Sequence, residues 1–424
     1  MWLLYDLLLL VLFLLYLPKA LWRRRLPHRG WTMRLGRYPA KIQQRLAGRR
    51  ALWVHAVSVG EMLAVRPLLQ QLTQRYPQDP LVVSTITPGG FQLASEQMTA
   101  ATAVIYFPLD LHTCVRRALD CVRPKILLLM ESELWPLAIH LTKAQGIPIA
   151  VINGRLSPQA FARYRLVKRW LRGTLARVDL LLMQSQTDAD RILQLGASAQ
   201  KVRVVGSLKW DASLEGQPSP EILQATAQRL GLNGRQSLVV AGSTHRGEER
   251  FVLEAFASLK RADPHVRLIV APRHLERLAE VEALIRRAGM TPQRLSADPA
   301  GSPWEVGIVD TFGQLSTYYG LATAVFIGGS LIPHGGQNPL EPASLGKPVI
   351  FGPSMHNFAD IAQQLLDRHA ARQLRGGSEL APALHDMLKD RAAAEAMGRR
   401  AQDVVEASRG TTQRTLEALA PFLQ

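Results

Sequence analysis

The chain has 424 residues, of which 47% are apolar, so it is long enough for two ordinary domains with separate hydrophobic cores. Its two cysteines, Cys114 and Cys121, are spaced to share one helix face, which argues against a metal site or a disulfide framework and favours a reducing compartment. A formal charge of +17 favours a polyanionic partner, whether a nucleic acid, a membrane surface or a phosphorylated substrate.

An apolar run opens the chain, from Trp2 to Leu17, with Asp6 as its interruption. A cleaved signal peptide would carry positive charge before the run and small residues after it, which is the reverse of this order. The run is short for a spanning helix, which needs roughly 20 residues, so it predicts a short signal-anchor or a helix lying in the membrane interface. The arginines after it place the rest of the chain on the cytoplasmic side. We therefore expect a membrane anchor over residues 1–22.

A basic segment comes after the apolar run. Between Pro18 and Gly60 there are eleven cations and no acid, namely Lys19, Arg23, Arg24, Arg25, Arg29, Arg34, Arg37, Lys41, Arg45, Arg49 and Arg50. Each cation beside an anionic membrane contributes about 1 kcal/mol to binding. Aromatic residues are sparse among them, which argues against a single-stranded nucleic acid as the partner. We expect residues 23–50 to be a juxtamembrane segment that binds anionic lipid.

From Ala51 onward, short apolar runs alternate with helical segments, the pattern of parallel sheets with crossover helices. The strands predicted in the first half are ALWVHAV, LVVSTIT, AVIYFPL, KILLLME, PIAVING, DLLLMQS and VRVVGSL. A polar stretch after Trp210 predicts a linker over residues 211–222. The second half resumes with SLVVAGS, VRLIVAP, EVGIVD, AVFIGGS and PVIFGP. The fold class is therefore α/β, with two Rossmann-like, doubly wound domains over residues 51–210 and 223–424.

Polar residues follow the predicted strands, where open parallel sheets bind ligands because free helix N–H groups converge there. They are Glu61, Glu131, Glu133, Asn153, Arg155, Lys209, His245, Glu248, Arg273 and His274. After a glycine loop, Asn338 and Pro339 form a good N-cap and first-turn pair, which predicts a phosphate site at a helix N-terminus. Glu341 could accept hydrogen bonds from ribose hydroxyls. Alternatively, Asn338 and Glu341 are only a cap and an acid matched to the helix dipole.

Metal-binding patterns are weak. Asp188 and Asp190 form a D-x-D, but acids favour the first turn of a helix, and that is the simpler interpretation. The histidines are scattered, without the spacing of metal ligands, at His55, His245, His274, His334 and His356. No metal site is predicted.

Seven motifs in order resemble one enzyme family. They are HAVSVGE, ESELWP, NGRLS, GSLKWD, GSTHRGEE, APRHLER and GGQNPLEPA, behind a leucine-rich run. This set is similar to the Kdo transferases, which move 3-deoxy-D-manno-octulosonate (Kdo) from CMP-Kdo to the lipid A precursor. The resemblance implies a GT-B glycosyltransferase, with two Rossmann-like domains facing a central cleft, the first for the acceptor and the second for the nucleotide sugar. It also implies anchoring in the inner membrane of Gram-negative bacteria, with the catalytic domains on the cytoplasmic side.

The resemblance also assigns residues. It implies that Glu61 is the general base for the acceptor hydroxyl and that Glu131 and Lys209 stabilise the transition state. The positions implied to bind CMP are Pro272, Arg273, Phe312, Gly313, Gln314, Asn338, Pro339, Leu340 and Glu341. Gln314 departs from the Glu usual in this family, so only a backbone contact is expected there. Without the family, Glu61 is equally well explained as a helix-start acid.

The implied leaving group is CMP, with a single phosphate. Cations and a helix N-terminus could stabilise it, so metal-independent transfer is expected, and the resemblance implies that the transfer is inverting. Whether Arg34, Arg37 and Lys41 bind acceptor phosphates or only anchor the chain stays open. Two alternatives remain: a GT-B enzyme that uses a UDP-sugar, and a non-enzymatic basic adaptor at a membrane surface. The sequence determines neither the oligomeric state nor the number of Kdo units added.

Overall fold

The computed structural model describes Tyr5, Asp6, Val11 and residues 30–234, 236–297 and 304–423. They divide into two compact units, the first formed by Met1–Ala212 with Gly410–Gln424 and the second by Ser213–Arg409. Most of the predicted membrane anchor and the cations before Gly30 lie outside the described residues. Within the described residues, no helix combines the length and the apolar character needed to cross a membrane.

The first unit contains a seven-stranded parallel sheet. Its strands are β1 (Ala51–His55), β2 (Leu81–Thr85), β3 (Ala103–Tyr106), β4 (Pro124–Met130), β5 (Ile149–Gly154), β6 (Leu180–Met183) and β7 (Val202–Val204). They are arranged in the order β3-β2-β1-β4-β5-β6-β7, and all seven coincide with predicted strands. The strand order reverses between β1 and β4, so the carboxyl ends of these two strands form the switch point at which such sheets bind ligands.

Helices cover both faces of this sheet. They are α1 (Trp31–Arg34), α2 (Ala40–Leu46), α3 (Val59–Arg75), α4 (Pro88–Gln97), α5 (His112–Val122), α6 (Pro136–Ala144), α7 (Pro158–Leu166), α8 (Lys168–Leu175), α9 (Gln186–Gln194) and α10 (Leu208–Ala212), with a 3-10 turn at Ala199–Lys201. Alternate strand residues point to opposite faces. Trp53 and Leu127 therefore belong to one buried cluster, while Val54 and Leu128 belong to the other.

Residues 30–50 are part of the folded first unit, whereas the sequence predicted a separate juxtamembrane segment. Tyr38 and Leu46 are buried in the core of the unit. The Arg34 guanidinium donates a hydrogen bond to the Ile86 carbonyl oxygen and lies 5.5 Å from the centroid of the Tyr106 ring. Residues 30–50 fold with the first unit because burial of Tyr38 and Leu46 and the contacts of Arg34 hold them against it. Arg34 therefore has a structural role.

The second unit contains another seven-stranded parallel sheet. Its strands are β8 (Leu238–Thr244), β9 (Arg267–Pro272), β10 (Pro292–Arg294), β11 (Val306–Ile308), β12 (Ala324–Ile327), β13 (Val349–Phe351) and β14 (Ala371–Gln373). The order is β10-β11-β9-β8-β12-β13-β14, so the switch point lies between β8 and β12. The sequence did not predict β10 and β14, because these three-residue edge strands are rich in polar residues and lack an apolar run.

The helices of the second unit complete two layers around its sheet. They are α11 (Pro220–Arg229), α12 (Glu249–Ala262), α13 (Leu278–Arg287), α14 (Leu315–Leu321), α15 (Leu340–Ser344), α16 (Ala359–Asp367), α17 (Leu380–Lys389) and α18 (Arg391–Ala407). Short 3-10 turns lie at Leu275–Arg277, His356–Phe358 and Gly377–Glu379.

The chain then returns to the first unit as α19 (Thr411–Leu419) and a 3-10 turn (Ala420–Phe422). Leu416 and Leu419 are buried in a core cluster of the first unit. The Asp211 carboxylate accepts hydrogen bonds from the N–H groups of Gly410 at 2.9 Å and Thr412 at 2.6 Å. The sequence had placed residues 410–424 in the second domain, because no local pattern shows which sheet a terminal helix covers.

Candidate active site

Glu61 lies at the turn from β1 to α3, and the same turn holds its side chain. Ser58 is the N-cap of α3, and its Oγ accepts a hydrogen bond from the Glu61 N–H at 3.3 Å. In return, the Ser58 hydroxyl donates to Glu61 Oε1 at 2.9 Å, and the Val57 N–H donates to Oε2 at 2.9 Å. Glu61 is therefore a helix-start acid in a variant of the capping box, in which its carboxylate accepts from the Ser58 hydroxyl and the Val57 N–H instead of the Ser58 N–H. Each carboxylate oxygen still has capacity to accept a further hydrogen bond.

The surroundings of Glu61 raise its pKa to about 7. The largest cause is burial, since the residue is only 9% exposed, followed by the negative charge of Glu131. Hydrogen bonds from Val57 and Ser58 favour the charged form and oppose the shift, while Glu133 adds to it. A carboxylate whose pKa lies near neutral pH is well matched to accepting a proton in a reaction.

Glu131 and Lys209 form an ion pair in the first unit. Glu131 directly follows β4 and has a left-handed backbone with φ of 52°, and its N–H donates to the Ile152 carbonyl oxygen at 3.0 Å. The distance from Lys209 Nζ to Glu131 Oε1 is 3.6 Å, and both side chains are partly exposed. The pair therefore presents one cation and one anion to solvent at the end of the sheet's central strands.

Asn153 holds the helix that carries Lys209. It lies in β5 with a left-handed φ of 53° and is fully buried. Its Oδ1 accepts hydrogen bonds from the Leu208 N–H at 2.9 Å and from the Ser207 hydroxyl at 3.4 Å. Asn153, which the sequence marked as a strand-end polar residue, therefore positions α10. Arg155 follows β5 directly and is partly buried.

The loop after β4 also contains Glu133. Burial is the main reason that its pKa is raised, and the charge of Glu131 adds to the effect. The hydroxyl of Tyr164 in α7 donates to the Ser132 carbonyl oxygen at 3.4 Å. Helix α7 therefore supports the loop that carries both acids.

In the second unit, Glu248 joins the two loops at the switch point. Its buried carboxylate accepts hydrogen bonds from the N–H groups of His245 at 3.0 Å, Gly329 at 2.6 Å, Ser330 at 3.0 Å and Leu331 at 2.9 Å. Burial raises its pKa, and these N–H groups oppose the shift. Glu248 therefore fixes the loop after β12 against the loop after β8.

Three histidines that are distant in sequence lie together beside these loops. The ring centroid of His245 is 4.0 Å from that of His334 and 5.7 Å from that of His274. The side-chain amide of Gln337 lies 3.0 Å from His245 Nε2. Burial, followed by the nearby histidines and by Arg273, lowers the pKa of His245 to about 4. The sequence did not predict this cluster, because its members are distant in sequence and the loops after three strands bring them together.

Arg273, Asn338 and Glu341 form a second polar group in this unit. Arg273 follows β9, and its N–H donates to the Thr244 carbonyl oxygen at 2.9 Å. Burial raises the pKa of Glu341, and the Asn338 amide and the Arg273 charge oppose the shift. Asn338 Nδ2 donates to Glu341 Oε1 at 3.3 Å. Pro272 ends β9 itself, opposite Thr244 of β8.

The helix after Asn338 begins later than the sequence predicted. Asn338 Oδ1 accepts a hydrogen bond from the Leu340 N–H at 3.1 Å, two residues along the chain. This side-chain turn delays the helix, so Pro339 is the N-cap and α15 runs only from Leu340 to Ser344. Leu340 is fully buried, which leaves its backbone rather than its side chain for a ligand.

The turn Phe312–Gln314 precedes α14. Phe312 is 76% exposed, and Gly313 has a left-handed φ of 82° that favours glycine. The Gln314 side-chain oxygen accepts a hydrogen bond from the Tyr318 hydroxyl at 2.9 Å. The Gln314 side chain is therefore engaged within the unit, whereas the Phe312 ring is exposed.

Asp188 of the D-x-D pattern is a buried helix acid, as the sequence predicted. It lies in the first turn of α9 and accepts hydrogen bonds from the Leu156 N–H at 2.7 Å and the Ser185 hydroxyl at 2.6 Å. Asp190 accepts a hydrogen bond from Gln186 at 2.8 Å. Across the described residues, no group of three or more His, Cys, Asp or Glu side chains is placed to hold a metal ion.

The structure thus collects the predicted residues into two groups, one in each unit. Glu61, Glu131 and Lys209 belong to the first, and Arg273, Asn338 and Glu341 belong to the second. Sequence reasoning missed Ser58, although the S-x-x-E spacing to Glu61 is a readable capping-box pattern. It also missed Gln337, for which no sequence signal exists.

Comparison with known proteins identifies close relatives. Residues 29–212 match the family model for 3-deoxy-D-manno-octulosonic-acid transferase (kdotransferase). The 3-deoxy-D-manno-octulosonic acid transferase of Haemophilus influenzae is 31% identical over 378 residues, which cover 88% of each chain. The enzyme of the same name from Bordetella pertussis is 33% identical over 419 residues, which cover 95% of each chain.

Two solved structures share the fold at low sequence identity. UDP-GlcNAc 2-epimerase from Neisseria meningitidis, bound to UDP-GlcNAc, has a TM-score of 0.59 and 16% identity, covering 88% of this chain and 100% of that one. A glycosyltransferase from Rickettsia africae has a TM-score of 0.58 and 10% identity, covering 89% and 99%. This likeness shows two parallel-sheet α/β units resembling the GT-B glycosyltransferases.

Proposed function

Because the chain belongs to the 3-deoxy-D-manno-octulosonic acid transferase family, we propose that it transfers Kdo from CMP-Kdo to the lipid A precursor, lipid IVA, with inversion at the anomeric carbon. Members of this family are glycosyltransferase enzymes, and their activity belongs to lipopolysaccharide biosynthesis. Because the family consists of enzymes, the alternative of a non-enzymatic adaptor is removed. The observation that carries the proposal is the Glu61 carboxylate, fixed by its capping box and with a pKa near 7.

Glu61 acts as the general base. Its carboxylate takes the proton of a glucosamine hydroxyl on the acceptor as that oxygen bonds to the anomeric carbon of Kdo. The bond from the anomeric carbon to the CMP phosphate breaks in the same displacement, and CMP leaves with the electron pair. The rigid capping box supports this role, because it holds the carboxylate without using up its capacity to accept a hydrogen bond.

Lys209 and Glu131 stabilise the charges that develop in this step. The Lys209 ammonium balances the negative charge that grows on the leaving phosphate, and Glu131 balances positive character at the sugar. Their ion pair supports these roles, because it holds both charges at the switch point of the first sheet.

The second unit binds the donor. Arg273 attracts the CMP phosphate, and Glu341 accepts hydrogen bonds from the ribose hydroxyls. Backbone groups of Pro272, Gly313, Gln314, Pro339 and Leu340, the Asn338 amide and the exposed Phe312 ring complete the CMP contacts. These roles draw support from the placement of Arg273 beside Asn338 and Glu341. CMP carries a single phosphate, so the reaction proceeds without a metal.

The protein acts at the cytoplasmic face of the inner membrane, held there by its apolar N-terminal run and by anionic lipids. This part of the proposal rests on the sequence of residues 1–50, with the cations after the apolar run setting the orientation. Arg37 and Lys41 are exposed and remain available to acceptor phosphates.

Mass measurement of the reaction product tests the proposed function. Purified full-length protein is incubated with CMP-Kdo and tetraacylated lipid A precursor, with UDP-sugars offered in parallel. We expect the acceptor to gain the mass of one or more Kdo units with CMP-Kdo alone. Product formed only from a UDP-sugar would contradict the proposal.

A further inference from the structure

Helix α10, which carries Lys209, has only five residues, Leu208–Ala212. A helix of this length is not stable alone, because the cost of starting it exceeds the gain from so few hydrogen bonds. Its position therefore depends on contacts with the rest of the first unit. At its start, the Leu208 N–H donates to the side chain of the buried Asn153. The contacts at its other end decide how firmly Lys209 is held.

The end of α10 is bound by the C-terminal segment, residues 410–423. The Asp211 carboxylate accepts hydrogen bonds from the N–H groups of Gly410 at 2.9 Å and Thr412 at 2.6 Å. Gly410 is the N-cap of α19, so these N–H groups lie where the helix offers no carbonyl oxygen to accept them. The positive end of the α19 dipole also favours a negative charge at this place. Asp211 therefore ties α10 to α19 by two charge-assisted hydrogen bonds.

The C-terminal segment also contacts the chain just before α10. The Arg414 guanidinium donates a hydrogen bond to the Val205 carbonyl oxygen at 2.9 Å. Gly206 has a left-handed φ of 97°, and a Cβ at this position would lie 2.7 Å from the Thr411 hydroxyl oxygen. Glycine allows both this backbone conformation and the close approach of α19. Residues before and at the end of α10 are thus held by one segment.

The same segment contacts α3, whose first turn carries the candidate base. Leu416 of α19 belongs to the buried cluster that contains Met62 of α3 and Leu208 of α10. At the end of α3, the Arg75 guanidinium donates to Gln413 Oε1 at 2.6 Å. Helix α10 packs against both α3 and α19. The C-terminal segment therefore contacts both helices that carry charged residues of the candidate site in this unit.

Lys209 precedes Asp211 by two residues, and its Nζ lies 3.6 Å from Glu131 Oε1. Loss of the bonds at Asp211 frees the end of α10 and so moves Lys209 relative to Glu131. We propose that Asp211 is a positioning residue for transfer: by binding the start of α19 it fixes α10 and holds the Lys209 ammonium beside Glu131. The proposal rests on the proposed function for the role of Lys209. A displacement of about 1 Å at such a group costs up to about 10²-fold in rate.

The Asp211→Asn variant tests this role in the full-length chain. Asn keeps the size of the side chain but has one oxygen acceptor, so one of the two N–H groups loses its partner. We expect kcat for Kdo transfer to fall by about 10- to 100-fold, with an unchanged KM for CMP-Kdo. The matched control is Asp179→Asn, because Asp179 Oδ2 also accepts a backbone hydrogen bond, from the Ile149 N–H at 2.9 Å. The control should keep its kcat. An unchanged kcat in a folded Asp211→Asn protein would overturn the proposal.

Two further readouts separate positioning from general destabilisation. In a Lys209→Met background, Asp211→Asn should lower kcat by less than about twofold, because the group that it positions is already absent. Asp211→Asn should also move the midpoint of the kcat/KM profile to higher pH. The charge of Glu131 raises the pKa of Glu61, and a displaced Lys209 no longer offsets that charge. A further loss greater than about twofold, or a midpoint that does not rise, would contradict the positioning role.

The Arg414→Gln variant replaces Asp211→Asn if the latter does not fold, since it removes the bond to the Val205 carbonyl oxygen and leaves Asp211 in place. It should lower kcat in the same direction, and again only when Lys209 is present. A full kcat in Lys209→Met would overturn the role of Lys209 and this proposal with it. A slow Lys209→Met protein beside an Asp211→Asn protein with full kcat rejects the positioning role alone.

A crystal structure of the folded variant gives a readout that requires no turnover. The distance from Lys209 Nζ to Glu131 Oε1 should exceed about 4 Å, the limit for an ion pair. Retention of the 3.6 Å distance would refute the proposal, whether or not the chain transfers Kdo. A lengthened distance in a chain that transfers no Kdo rejects only the proposed function.

Discussion

The Lys209 ammonium lies 3.6 Å from Glu131 Oε1, and the negative charge of Glu131 in turn helps to raise the pKa of Glu61. Three charged groups that follow different strands are thus coupled electrostatically. The coupling means that a change at any one of them should alter the behaviour of the others, which makes the group open to analysis by paired substitutions.

Loss of the Lys209 charge should slow transfer without unfolding the protein. We expect Lys209→Met to lower kcat by about 10²- to 10³-fold, because a cation at a developing negative charge is strongly stabilising. Glu131→Gln should cost less, and the double variant should lose less than the product of the two effects. The rate of each variant is measured as the rate at which CMP is released. Lys143→Met is the control, since Lys143 forms an ion pair with Asp179 at 2.6 Å in the same unit; a similar loss there would contradict a specific role for Lys209.

The pH dependence should follow the ionisation of Glu61. The base must be deprotonated, so kcat/KM should rise with pH and level off above a pKa of about 7. Glu131→Gln removes a negative charge near Glu61, which stabilises the Glu61 carboxylate and lowers its pKa. The midpoint of the pH profile should therefore move to lower pH. Rates measured across the neutral range check both statements. A midpoint that stays fixed or rises in Glu131→Gln would be inconsistent with this coupling.

Glu248 should be required to hold together the loops that follow β8 and β12. Glu248→Ala leaves four N–H groups of the two switch-point loops without their acceptor, and each unsatisfied buried group costs about 1–3 kcal/mol. We expect the free energy of unfolding to fall by at least about 3 kcal/mol, together with a higher KM for CMP-Kdo. Denaturant melts and donor kinetics test this. Glu254→Ala, at an exposed position of α12, should change neither, and equal stability of both variants would refute the role of Glu248.

Transfer should not depend on a metal ion. After treatment with EDTA and removal of the chelator, the protein should retain its rate of Kdo transfer, because Arg273 and Lys209 supply the positive charge for a single leaving phosphate. The measurement is the transfer rate before and after chelation. Activity that is lost with EDTA and restored by magnesium would show that the prediction is wrong.

Much of the fold could be predicted from the sequence, because its central strands are long apolar runs. The edge strands β10 and β14 could not, since each has only three residues, two of them polar, and so carries no periodic signal. The return of α19 to the first unit was also missed. That placement depends on the cap that Asp211 provides and on burial of Leu416, and both are contacts between distant parts of the chain.

Only part of the candidate site could be predicted from the sequence. Glu61 and Glu131 could be found because each follows a predicted strand, where parallel sheets bind ligands, and the family resemblance supplied their roles. The cluster of His245, His274 and His334 could not, because its members follow three different strands and share no sequence spacing. The start of α15 was predicted too early. The Asn338 side chain accepts a hydrogen bond from the Leu340 N–H, and this local bond competes with an earlier start of the helix.

The rate of Kdo transfer by Glu61→Gln is the most direct test of the account. Gln keeps the shape of the side chain, and its oxygen can accept the hydrogen bond from the Val57 N–H while its NH2 group donates to Ser58 Oγ, but it cannot accept the proton. The control is Glu221→Gln, an exposed acid in the first turn of α11. We predict that Glu61→Gln lowers kcat by about 10²- to 10⁴-fold with an unchanged melting temperature and CMP-Kdo affinity, while Glu221→Gln has no effect. A folded Glu61→Gln protein that transfers Kdo at the rate of the unmodified chain would contradict the account.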